Sequence, residues 1–352
     1  MFLRLLIFLS LLISLNAKEF LYISSGASID VREIDQETGK LKKVQKLELE
    51  GLSSFTFSPD YKFLYAQTSI RNGKKRKAAI ATFSITDDGK ITLIKNVEAP
   101  SSVTELKTDR TGRFLAGTRS GNVYIWKLEE GIFTSSLACT IKLEKKTHAV
   151  RFSLDNRFLY IPGTAPNKIF CLSFDSKTGN IKHVSTAKGP TEGACQPRHL
   201  TFHQTLDIAY STQERIKPGV AVWSRNKESG EMKLLQNIVT SKDTSSTITT
   251  ADVHISPDKK FVYISSRDKS SKNNELISFQ IDQSSGILKL IGRVKSEHLP
   301  RSFCLNQSGK FIYATGQGES KLGVYSVKEG LLIKVIQYDI GEKAIWVESL
   351  NK

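Results

Sequence analysis

The chain has 352 residues, 39% hydrophobic and 24% charged, and its 51 Lys and Arg against 35 Asp and Glu give a formal net charge of +16. That composition excludes a disordered or low-complexity chain. The basic excess is spread along the sequence and suits anionic partners without naming one.

Residues 1–17 read as a secretory signal. Arg4 precedes the apolar run Leu5 to Leu15 (LLIFLSLLISL), and Ala17 supplies a small residue for cleavage. Eleven apolar residues are too few to span a bilayer, and no spanning stretch follows downstream. The competing reading is a buried first helix. The expectation is cleavage after Ala17 and export, periplasmic or extracellular, with a single domain over 18–352 and no integral membrane segment left.

From residue 20 onward the chain repeats. The segment Phe20-Leu21-Tyr22-Ile23-Ser24-Ser25 returns as FLYAQT at Phe63, FLAGTR at Phe114, FLYIPG at Phe158, DIAYST at Asp207, FVYISS at Phe261 and FIYATG at Phe311. Successive copies are 43, 51, 44, 49, 54 and 50 residues apart. A second marker keeps step with the first: glycines 39, 89, 131, 179, 230, 286 and 330, in contexts such as DQETGK, SKTGN and QSSG. Glycine supplies the positive φ of short β-hairpins, and the runs on either side of it are strand-like.

Each repeat also has an upstream run ending in a polar turn, such as FTFSPDYK, VRFSLDNR or VHISPDKK. Four antiparallel strands per unit follow, named A to D outward, and seven such units predict an all-β, seven-bladed β-propeller. The first unit lacks an A strand, and Ala344 to Leu350 reads as that strand, so the C-terminal segment is expected to close the ring. Gly-His and Trp-Asp signatures of the WD-type propeller are absent.

The cysteines at 139, 171, 195 and 304 show no disulfide or metal spacing, and three lie in apolar strand-like runs, so buried thiols are expected. The basic cluster Arg71 to Lys77 has no interleaved aromatic residues; it reads as a solvated hairpin tip, and no nucleic-acid partner is expected.

A strands and B strands run antiparallel, so A-strand starts and B-strand ends meet at one mouth of the central channel. A-strand starts supply His148, Arg198, His199, Asp252 and Arg301; B-strand ends supply Arg119, Glu214, Arg267 and Gln317. Several arginines converging on one cavity suit a carboxylate or phosphate, which the planar guanidinium grips with two parallel hydrogen bonds. A carboxylate and an imidazole beside them can move protons. The competing reading is that these arginines form ion pairs between blades. No metal is expected, since His148, His199 and His203 have no ligand spacing, and His254 reads as a satisfied interior residue. No nucleophile elbow, P-loop or dinucleotide fingerprint occurs.

The stretches THAVRFSLDNRFLYIP, GACQPRHLTFH, TTADVHISPDKKFVYISSRD and LPRSFCLNQSGKFIYATGQ resemble segments of the seven-bladed lactonase family, which includes propeller-type 6-phosphogluconolactonases and carboxy-muconate lactonizing enzymes. The resemblance runs over essentially all of residues 18–352. It implies a catalytic set of His148, Arg198, Glu214 and Arg267; their mouth positions add His199, Arg301, Gln317 and Arg119 as expected substrate-binding residues, Arg119 standing where the family pattern leads one to expect an uncharged residue, and no cofactor is expected. Where members commonly carry a His at the third A strand, this chain reads Ser102-Val103-Thr104-Glu105. The expected activity is metal-independent hydrolysis of a sugar-derived or anionic lactone by an exported monomer. The alternatives are a lactonizing cycloisomerase and a non-catalytic binding propeller, and the residues leave the base open between Glu214 and His148.

Overall fold

A computed structural model describes residues 17–190, 196–241, 247–270 and 272–352. Cys195 and the apolar run of the signal lie outside the described residues. Twenty-eight strands and no helix make up the described residues.

They form seven four-stranded antiparallel sheets. Blade 1 contains β1 (Glu19–Ser24), β2 (Ser28–Ile34) and β3 (Leu41–Glu48). Blade 2 is β4 (Phe55–Phe57), β5 (Phe63–Asn72), β6 (Lys75–Ile85) and β7 (Ile91–Glu98). Blade 3 is β8 (Glu105–Thr108), β9 (Phe114–Arg119), β10 (Asn122–Glu129) and β11 (Ile132–Lys142). Blade 4 is β12 (Arg151–Phe152), β13 (Phe158–Gly163), β14 (Lys168–Phe174) and β15 (Ile181–Lys188). Blade 5 is β16 (Pro197–Phe202), β17 (Ile208–Gln213), β18 (Gly219–Arg225) and β19 (Met232–Val239). Blade 6 is β20 (Ile248–Ile255), β21 (Phe261–Asp268), β22 (Glu275–Ile281) and β23 (Leu288–Lys295). Blade 7 is β24 (Pro300–Leu305), β25 (Phe311–Gly316), β26 (Lys321–Lys328) and β27 (Leu331–Asp339).

The last strand, β28 (Trp346–Asn351), pairs with β1 from Glu19↔Asn351 to Ser24↔Trp346 and supplies the A strand that blade 1 lacks. Lys18 and Lys352 continue the ladder, each N–H donating to the other's carbonyl at 3.0 and 2.8 Å.

The two sequence markers meet physically at the blade seams. The Phe that opens a B strand covers the hairpin glycine of the next blade: Phe20 lies on Gly89, Phe63 on Gly131, Phe114 on Gly179, Phe158 on Gly230, Phe261 on Gly330 and Phe311 on Gly39, with Ile208 replacing Phe over Gly286. At Gly89, where φ is +77°, a Cβ would lie 2.4 Å from the Phe20 ring, so both the conformation and the space demand glycine. In five blades a Tyr two residues after the Phe position donates to the same glycine's carbonyl. Tyr22 reaches Gly89 O at 2.8 Å, Tyr65 Gly131 O at 2.7 Å, Tyr160 Gly230 O at 2.8 Å, Tyr210 Gly286 O at 2.9 Å and Tyr313 Gly39 O at 3.1 Å. A buried hydroxyl thus gains a partner exactly one blade away, and the bond from Tyr313 to Gly39 crosses the closing seam.

Cys171 and Cys304 are buried free thiols, as expected. Cys139 is only half-buried, because it lies on β11, the outermost strand of its blade. Arg71 and Arg76 flank the tip of the β5–β6 hairpin and share Glu50 through ion pairs of 3.1 and 2.8 Å.

Candidate active site

The ladders slip where the mouth residues lie. Register shifts by one between Pro197↔Gln213 and Leu200↔Ser211, between Thr250↔Ser266 and Val253↔Ile264, and between Pro300↔Gly316 and Phe303↔Ala314. Blade 4 repeats the slip between the Thr147↔Gly163 bridge and Arg151↔Tyr160. The A strands of blades 1, 2 and 3 pair without one. Each bulge sets two residues against one: His148-Ala149, Arg198-His199, Ala251-Asp252 and Arg301-Ser302. Bulges bend a strand and re-aim its side chains, and here they do so at equivalent positions of four successive blades.

The local sequence accommodates the slip. At the second bulge position the N–H takes a hydroxyl from the B strand: His199 N donates to Thr212 Oγ1 (3.2 Å), Asp252 N to Ser265 Oγ (3.0 Å) and Ser302 N to Thr315 Oγ1 (3.2 Å). Blade 4 has Pro162 opposite its bulge, which offers no N–H, and its carbonyl accepts His148 N–H at 2.9 Å.

Arg198, Glu214 and Arg267 form one cluster. Glu214 follows the end of β17, and Arg267 occupies the equivalent place in the next blade. Arg267 Nη2 donates to Glu214 Oε1 at 2.9 Å, Arg198 Nε stands 3.5 Å from the same oxygen, and Arg215 Nε is 3.9 Å from Oε2. Arg198, 1% exposed, also donates from Nη1 to Ala251 O at 2.8 Å. Arg301 is half-buried and its guanidinium has no hydrogen bond or ion pair among the described residues. His148 joins the cluster through its field and through ring contact with His199, the centroids 5.3 Å apart.

Charge follows from this packing. Burial, then the positive fields of Arg198, His199, Arg301 and Arg267, hold His148 well below the ordinary histidine range, so it is a neutral imidazole at pH 7. Burial opposes ionisation of Glu214, but Arg198 and Arg267 outweigh it and lower the carboxyl's pKa. Burial, then the positive field of Arg267, lowers the pKa of both Arg198 and Arg301. Three guanidiniums facing one carboxylate make a mouth that favours an incoming anion.

His199 is 1% exposed, as is Arg198, and its Nδ1 lies 2.7 Å from Asp252 Oδ1. Arg119 is exposed at the end of β9 and Gln317 is half-buried after β25, and neither side chain makes a hydrogen bond or ion pair with the cluster among the described residues. Three neighbours were not singled out from sequence. Glu105, fully buried, accepts Val150 N–H at 2.9 Å and is ion-paired with Arg151, and the Trp346 ring lies 5.7 Å from that of His199. Only closure of the ring brings Trp346 there, so no local motif could reveal it.

A cavity of about 430 Å³ lies at the other end of the same strands, lined by residues including Lys107, Arg151, His254 and Glu348. Lys107 and Glu348 pair there at 2.8 Å and Arg151 pairs with Glu105, so its charges are largely answered from within. Of the two ends of the channel, the bulged rim holds a guanidinium, that of Arg301, with no partner among the described residues.

Fold and site together define a seven-bladed propeller with an arginine-rich mouth built on blades 4 to 7. The chain belongs to the lactonase family: the model of the family described as "Lactonase, 7-bladed beta-propeller" matches residues 17–349. It is 30% identical over 339 residues to a 6-phosphogluconolactonase of Enterobacter sp. (strain 638), a match covering 94% of this chain and 98% of that one. Among solved structures it is similar to a periplasmic gluconolactonase of Pseudomonas aeruginosa, with a TM-score of 0.84, 18% identity and coverage of 95% of this chain and 99% of the other. A protein from Lactobacillus plantarum superposes with a TM-score of 0.82 at 19% identity, covering 95% and 99%. The protein is an enzyme of the lactone-hydrolase type.

Proposed function

We infer that the protein is an exported hydrolase of anionic or sugar-derived lactones in which His148 activates the attacking water. The observation that carries this is the division of labour at the mouth: the carboxylate of Glu214 is held between Arg198 and Arg267, whereas the neutral His148 has an imidazole free of any ion pair among the described residues. A carboxylate whose proton affinity is lowered by two guanidiniums is a poor base, so Glu214 sets the geometry of the arginines instead. Water gives its proton to His148 as its oxygen bonds to the lactone carbonyl carbon. The guanidiniums of the mouth stabilise the oxyanion that forms, and the protonated imidazole returns the proton to the ring oxygen as the C–O bond breaks. A divalent cation would meet three guanidiniums for one carboxylate, which favours a side chain over a metal as the activator.

Export is supported by the signal-like run before Ala17 and by the pairing of Lys18 with Lys352, which cleavage after Ala17 would leave intact. The similar Pseudomonas protein is periplasmic by its description.

The test is hydrolysis of phosphorylated and unphosphorylated aldonolactones and of muconolactones by protein beginning at Lys18. Wild-type enzyme is expected to hydrolyse at least one class, with a rate that falls only below the ordinary histidine pKa. His148→Gln should lower kcat by about 100-fold or more. Hydrolysis of no lactone, or wild-type turnover by His148→Gln, would overturn the reading.

A further inference from the structure

Asp252 holds the bulge position at which the other three bulged blades carry Ala149, His199 and Ser302. Its carboxylate is 2% exposed and fully engaged. Oδ1 accepts His199 Nδ1–H at 2.7 Å and Val253 N–H at 3.0 Å; Oδ2 accepts Phe303 N–H at 3.3 Å and lies 3.3 Å from His254 Nε2. Although burial opposes it, the imidazoles of His254 and His199 keep this acid well below the usual carboxylate range, so it is ionised. An ionised acceptor on Nδ1 fixes His199 as the Nδ1–H tautomer and leaves a bare lone pair on Nε2. That Nε2 is buried without a partner among the described residues, and so is Nδ1 of His148, on the ring that touches it. Two orphaned imidazole nitrogens on rings in contact are complementary if His148 keeps its own proton on Nδ1.

We propose that Asp252 and His199 are positioning residues for His148: a hydrogen bond from His148 Nδ1–H to His199 Nε2, direct or through one water, orients His148 so that its Nε2 receives the proton of the attacking water. This rests on the reading of His148 as the base. The proton taken from water stays on His148 Nε2 until the ring oxygen of the lactone receives it. His199 keeps its Nδ1–H throughout, and Asp252 remains a carboxylate. The arrangement follows the logic of an acid–histidine pair that fixes a tautomer, extended by one imidazole.

The charged groups that face His148 are Arg198, Arg301 and Arg267 besides His199, and those that face His199 are Arg198, Asp252 and Glu105. Among them Asp252 is the acceptor bonded to an imidazole, and its replacement changes the tautomer as well as the field. Asp252→Asn is therefore expected to reduce kcat by about 100-fold or more with KM within about threefold, and to move the acid limb of the kcat profile to lower pH. A role confined to packing would leave that limb in place. The second measurement needs no variant: imidazole ¹⁵N spectra of the wild-type protein, with His199 identified by loss of its signals in His199→Gln, should show His199 neutral and protonated on Nδ1 at pH 7. An Asp252→Asn enzyme with wild-type kcat and an unmoved limb, or a His199 protonated on Nε2, overturns the proposal. Loss of turnover in His148→Gln alongside either result would sink this inference alone, whereas an active His148→Gln removes the base reading beneath it.

Discussion

Arg301 is the residue on which substrate charge should depend. Arg198 and Arg267 share Glu214, but Arg301 reaches the mouth with its hydrogen-bonding edge uncommitted among the described residues. A guanidinium pressed by burial and by Arg267 gains most from an anion placed against it. Arg301→Gln is expected to raise KM for lactones bearing a carboxylate or phosphate by about tenfold or more, and to change KM for uncharged lactones by less than about threefold. Steady-state kinetics on the two substrate classes checks it, and equal losses on both would show that Arg301 supports the mouth without reading the substrate. The sequence displayed the members of this site but not their division of labour. Arg198, Glu214, Arg267 and His148 could be placed at one rim from strand phase alone. That Asp252 grips His199 while Arg119 and Gln317 stand apart depends on side-chain contacts between separate blades, which no local pattern encodes.

At the level of the element, the seams turn on a Tyr–Gly pair and a bulge. Each Tyr hydroxyl bonded to a hairpin carbonyl is buried, so losing it leaves that carbonyl unanswered. Tyr65→Phe should cost about 1–2 kcal/mol in denaturant-derived stability, whereas Tyr263→Phe should cost much less, since Tyr263 Oη has no partner among the described residues. Equal costs at the two positions would refute the pairing as the source of seam stability. The Gly marker recurs seven times in fixed phase and the Phe marker six, with Ile208 in the remaining blade, so both spacings were legible, and the physical link between them explains why they keep step. The bulges were not, because the extra residue at Arg198-His199 or Ala251-Asp252 leaves the apolar alternation on either side intact. Their trace in the sequence is a hydroxyl two residues after the B-strand Tyr, as in Tyr210-Ser211-Thr212, Tyr263-Ile264-Ser265 and Tyr313-Ala314-Thr315.

For the whole molecule, closure by β28 joins fold and site. Trp346 packs near His199 and donates from its indole N–H to Glu348 at 3.0 Å, and Glu348 in turn pairs with Lys107 across the channel. Deleting residues 344–352 would expose the inner edge of β1 and remove these contacts. Thermal unfolding followed by circular dichroism should show a broadened transition at much lower temperature, with no lactone turnover. A truncated protein that melts cooperatively near the wild-type temperature would show that blade 1 is complete without the C-terminal strand.

That closing strand also bears on biogenesis. Synthesis runs from the N-terminus, so blades 2 to 7 and the three outer strands of blade 1 can form while blade 1 still lacks its innermost strand. Trp346 and Glu348 emerge after the strands of all the other blades, and with them both the seal of the ring and the indole beside His199. A chain truncated before β28 therefore carries every mouth side chain of blades 4 to 7 while lacking the indole beside His199 and the strand that joins blade 1 into the ring.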